Sequence, residues 1–201
     1  MNQTLFWRIA GRTILIGVFA GLALTVVGWP ARLIWYRGMM VGGSVSVEIG
    51  LMGFWAFLTL NFLVRTFLPL RVWIWFQGVL VVLTVLDISY YFPALIQDLP
   101  TGLSLPPGNY LWVILIPLVL ASVVAVYKAR RTTRQAFIPA LFFMYVFTGL
   151  EWILALLNAK QWGVAGFVWI VLFLCNAYLV MALGQKATSP SARMDESRLT
   201  S

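Results

Sequence analysis

A chain of 201 residues that is 62% hydrophobic and only 10% charged, with mean hydropathy +0.92, does not have a soluble domain's composition. Soluble domains carry roughly 25% charged residues, and about half of their surface must face water. The formal net charge is +8, but the cations stand at the ends of apolar runs rather than in one solvated patch. That pattern reads as membrane topology and argues against nucleic-acid binding. The expected fold class is all-α: a polytopic integral membrane protein with six transmembrane helices in one domain, residues 1–183.

In chain order, Met1–Arg12 is a short polar start, and the first span is expected over 13–29. No small-x-small cleavage site follows it, so it reads as a retained helix rather than a signal peptide. Gly17 and Gly21 form a GxxxG step, with Thr25 on the same face, which marks a helix-packing surface. Pro30–Ser44 is an expected loop, and the second span covers 45–64. Arg65–Arg71 is a short basic connection, and the third span covers 72–92. Pro93–Asn109, with Pro93, Pro100, Pro106 and Pro107, is an expected semi-rigid loop, because proline fixes φ and discourages helix. The fourth span, 110–127, holds Pro117, which should bend it. A basic loop follows with Lys128, Arg130, Arg131 and Arg134. The fifth span covers 136–157 and the sixth 162–183. Each run is about 17 to 22 residues, enough for a hydrocarbon core of about 30 Å. Residues 184–201 read as a disordered cytoplasmic tail.

Six spans place both termini on one side. Eleven Lys and Arg fall on that side and three (Arg32, Arg37, Lys160) on the other. The excess assigns both termini to the cytoplasm. The four cations of the basic loop are expected to hold this orientation and to contact anionic lipid or a partner.

Three acids, Glu48, Asp87 and Glu151, are candidate functional polar residues within the membrane. Asp87 and Glu151 each lie 15 residues into an outward-running span, about 22 Å from its cytoplasmic edge. All three are therefore expected in the outer leaflet, with Arg32, Arg37, Lys160 or one another as partners. Asn61, Gln77 and Asn176 are neutral and expected in the inner leaflet. A buried carboxylate needs a partner or a proton. Glu151, deeper and followed by Trp152, is the strongest candidate for a specific role.

With no histidine, the chain lacks His-ligated zinc, the HExxH signature and a Ser-His-Asp triad. Its single cysteine, Cys175, permits no intrachain disulfide. An Asp87–Glu151 dyad is the remaining catalytic option and carries no recognisable signature, so no enzyme activity, catalytic residue, cofactor or metal is expected. One function open to such a chain is a small transporter or permease component using Glu151 and Asp87. The absence of acids at several depths counts against it.

The stretches MGFWAFLTLNF (Met52–Phe62), AFIPALFFMYVFTGLEW (Ala136–Trp152) and CNAYLVMAL (Cys175–Leu183) resemble those of the KinB-signalling pathway activation protein (KbaA) family. The length, six-span layout and basic loop agree. The resemblance implies an accessory protein of the bacterial plasma membrane that acts upstream of a membrane-bound sensor histidine kinase and promotes sporulation through the phosphorelay. It brings no catalytic residues.

Overall fold

The structure is a computed structural model that describes residues 3–26, 36–97, 110–159 and 162–182. These residues form helices α1 (Gln3–Val26), α2 (Tyr36–Phe67), α3 (Leu70–Gln97) and α4 (Tyr110–Arg131). A helical stretch at 134–159, α5, and a last helix, α6 (Trp162–Ala182), follow. The fold is all-helical, and six of these helices are long and apolar enough to cross a membrane. Their outward surfaces are apolar: Phe62 and Phe67 are each 78% exposed and Trp75 is 76% exposed. In water this surface would drive association, whereas lipid solvates it.

Every helix but α6 extends beyond its expected span; α1 already starts at Gln3, inside the expected polar start 1–12. α2 starts at Tyr36, inside the expected loop 30–44, and α3 runs through Pro93 to Gln97. Proline costs a helix one hydrogen bond and a clash with the carbonyl four residues earlier, but an apolar helix has little alternative to helical bonding in lipid. α4 likewise continues through Pro117. The remainder of the third loop, Arg32, Lys160 and the tail 184–201 lie outside the described residues, as does the side chain of Arg37.

α2 and α3 are joined through Leu68 and Pro69. The Pro69 carbonyl accepts from the N–H groups of Val72 and Trp73, at 3.0 and 3.2 Å, starting α3. Trp73 Nε1 donates to Asn61 Oδ1 at 2.6 Å, tying the two helices. This satisfies both polar groups where water is scarce.

α5 and α6 are the most enclosed helices. α5 contacts α2, α3, α4 and α6, while α6 contacts α1, α2, α4 and α5. Where α4 meets α5, small residues (Ala121, Ala125 and Ala140) are buried and let the backbones approach. On α1, Thr13, Gly17 and Gly21 are buried at a four-residue spacing. A Cβ on Gly21 would meet the Phe167 ring at 3.5 Å, and Cys175 Sγ points to the Thr13 carbonyl at 3.7 Å. The glycine step thus faces α6.

α5 is not one regular helix. A 3₁₀ turn (Arg134–Ala136) leads into α-helix (Phe137–Phe142), then a π turn (Phe143–Phe147), then α-helix again (Thr148–Ala159). The π turn is held in an aromatic cluster. Phe143 sits 5.3 Å from Phe54 and 5.2 Å from Phe57, ring to ring, and Phe57 also meets Phe142 and Phe147. A π turn carries one more residue than an α turn, so everything after it is set back by on the order of 100°. The face that α5 presents to α2 and α6 beyond Phe147 follows from that offset.

Candidate functional site

The residues that emerge from the π turn are Thr148 and Glu151, one turn apart. Thr148 is buried, and Glu151 Oε1 is enclosed. Across from them on α6 stands Asn176, wholly buried. Its Nδ2 donates to Thr148 Oγ1 at 3.0 Å and to Glu151 Oε2 at 3.1 Å. One amide nitrogen therefore serves two acceptors on the neighbouring helix with its two protons.

α2 closes the third side with glycine. A Cβ on Gly53 would collide with Glu151 Oε1, and one on Gly50 would lie 3.1 Å from Asn176 Oδ1. Gly50 and Gly53 lie three residues apart and so share a face of α2. Only a backbone without a side chain leaves space there for the carboxylate and the amide. The other two polar atoms of the site, Glu151 Oε1 and Asn176 Oδ1, are buried and meet no hydrogen-bond donor among the described residues. Gln77 and the Tyr145 hydroxyl are also buried without a partner among the described residues.

The three acids do not gather. Glu48 and Asp87 are exposed. Asp87 lies beside Thr84 and Tyr90 on the outer face of α3. Asp87 is exposed on α3, whereas Glu151 is enclosed against α2 and α6, and no hydrogen bond among the described residues joins them. Depth also changes. Glu151 was expected in the outer leaflet and Asn176 in the inner, yet they bond, and Gly53 near the middle of α2 abuts the carboxylate. Side chains on a helix tilt toward its N-terminus. Because α5 and α6 run antiparallel, these tilts bring the Glu151 carboxylate and the Asn176 amide toward one another.

The basic cluster divides as well. Lys128 is 9% exposed and donates from Nζ to the Val180 carbonyl at 2.7 Å. Val180 lies in the last turn of α6, where carbonyls lack intrahelical partners and a cation is favoured. Lys128 is thus an internal cap between α4 and α6, not the lipid- or partner-facing cation expected. Arg130 and Arg131 are outward at the end of α4, with Arg131 over the Tyr127 ring at 4.9 Å, and exposed Arg134 opens α5. Lys128→Met should lower stability by about 1–2 kcal/mol while leaving topology unchanged. Denaturation in detergent together with cysteine-accessibility mapping checks both; a topology change with unaltered stability would refute the cap.

Four of the residues that meet at this site come from the three stretches singled out in the sequence: Gly53 from the first, Thr148 and Glu151 from the second, Asn176 from the third; Gly50 stands just before the first. No group of three or more potential metal ligands occurs among the described residues. What the arrangement offers is a polar joint between three helices.

No solved structure matches the chain. A KinB-signaling pathway activation protein of Bacillus subtilis (strain 168) is 27% identical over 186 residues, which cover 89% of this chain and 88% of the relative. A family model described as KinB-signalling pathway activation in sporulation matches residues 16–186, from the first helix to beyond the end of α6. The chain belongs to the KbaA family.

Proposed function

We propose that this protein is a regulator embedded in the bacterial plasma membrane through six spans, with both termini cytoplasmic. It activates a KinB-type sensor histidine kinase and so promotes the onset of sporulation through the phosphorelay. It does this by contact within or at the surface of the membrane, without catalysis of its own. The carrying observation is the family match over residues 16–186, which contains every helix contributing to the Glu151 joint. The apolar outer surface and the eleven-to-three distribution of cations support insertion and orientation.

The test is kinase-dependent sporulation transcription in a strain deleted for this gene. Wild type and Glu151→Gln would be supplied at matched membrane abundance. Restoration by wild type and failure of Glu151→Gln would support activation through the joint. Restoration by both would support activation and make Glu151 structural. Unchanged output in the deletion strain would refute the reading, and substrate flux in proteoliposomes would then be the assay for the transporter alternative.

A further inference from the structure

We infer that Glu151 Oε1 and Asn176 Oδ1 form a binding site for one small monovalent cation, a proton or a sodium ion. Both oxygens are acceptors, both are enclosed, and neither has a donor among the described residues. Asn176 is 0% exposed, and its nitrogen is already committed to Thr148 and Glu151 Oε2. Its oxygen is therefore held on the side facing Gly50 of α2, while Glu151 Oε1 faces Gly53. A carboxylate and an amide oxygen so placed, in an apolar bundle, call for positive charge.

Among the described residues, none supplies that charge. On α2 the nearest charged group is Glu48, which is exposed. On α5 the nearby titratable group is Tyr145, whose hydroxyl has no partner among the described residues. On α6 it is Cys175, directed at the Thr13 carbonyl of α1. Arg8 and Arg12 of α1 are exposed. Lys128 of α4 is held on the Val180 carbonyl, one turn along α6 from Asn176. None of them hydrogen-bonds Glu151. The lack of a three-ligand cluster among the described residues argues against a divalent ion. A proton on the carboxylate removes its charge and creates a donor. A sodium ion would instead be held by hard oxygen atoms.

The inference rests on the membrane-embedded reading and is independent of the kinase. The full chain would be extracted from membranes in detergent. Thermal unfolding would be followed at acid and mildly alkaline pH, in sodium chloride and in choline chloride of equal ionic strength. The packed state binds the cation, so stability is present when the site is filled and lost as it empties. For a proton, the wild-type Tm in choline should fall by roughly 4 °C or more from acid to alkaline pH. Glu151→Gln should lose that dependence, and Asn176→Asp should steepen it. For sodium, the ion should restore the wild-type Tm at alkaline pH and leave Glu151→Gln unmoved. The same response to pH and sodium in wild type and Glu151→Gln would overturn the site. Should Glu151→Gln fail to accumulate, the infrared band of a protonated carboxyl in wild type, or its displacement by sodium, decides, and absence of both overturns it. Recovery of the chain without detergent would defeat the membrane reading instead, so the two failures are distinguishable.

Discussion

Gly53→Ala is expected to destabilise the bundle by about 2 kcal/mol, although alanine is the better helix former by about 1 kcal/mol. The added Cβ collides with Glu151 Oε1. The carboxylate is enclosed between α2 and α6 and held by Asn176, so it cannot swing aside without giving up that bond. A control is available on α3, where Gly78 has no atom within 4 Å of an added Cβ. Gly78→Ala should be neutral or stabilising by the propensity term. The cause is isolated by a double-mutant cycle. Glu151→Ala removes the colliding atom, so Gly53→Ala should cost little in that background, leaving a coupling of about 2 kcal/mol. Equilibrium unfolding in mixed detergent measures all four corners. Equal costs of Gly53→Ala with and without Glu151 would defeat the contact, and the close α2–α5 approach with it.

Much of the architecture is legible in the residues because a run of about 20 apolar residues has few alternatives to a membrane-length helix. Glu151 could be singled out for the same reason: an acid inside such a run is expensive and must be compensated. Its partners could not be read. α5 and α6 are apolar on nearly all sides, so periodicity does not say which face meets which helix. Asn176 therefore looked like one neutral amide among several. Gly53 looked like an ordinary glycine, since nothing in its neighbours announces that a carboxylate abuts it. Depth counted at 1.5 Å per residue follows Cα atoms, and it misplaced Glu151 relative to Asn176 because the two side chains tilt in opposite directions along antiparallel helices. The π turn at Phe143–Phe147 is a further reason: it rotates Thr148 and Glu151 relative to Ala136–Phe142, and its aromatic contacts come largely from α2, far away in sequence. Lys128 shows the opposite error. A cation beside three arginines reads as part of a solvated cluster, whereas its long stem lets Nζ reach a carbonyl of α6.

Asn176→Leu should cost about 2–3 kcal/mol, more than a typical interhelical hydrogen bond in lipid, which averages about 0.6 kcal/mol. The difference comes from what is left behind. Asn176 gives one proton to Thr148 Oγ1 and one to Glu151 Oε2. Leucine preserves most of the volume and the helix, but leaves a carboxyl and a hydroxyl on α5 with no donor on α6. Thr148 can turn its own proton elsewhere; Glu151 cannot do so while ionised. The cost should therefore fall sharply in the Asn176→Leu/Glu151→Leu double variant, which replaces both partners with apolar groups. It should remain high in Asn176→Leu/Thr148→Val, where the acid is still unpaired. Unfolding of the four proteins in detergent distinguishes these outcomes. If the Thr148 replacement rescues and the Glu151 replacement does not, the joint is organised around the hydroxyl, and the acid is incidental to the packing of α2, α5 and α6.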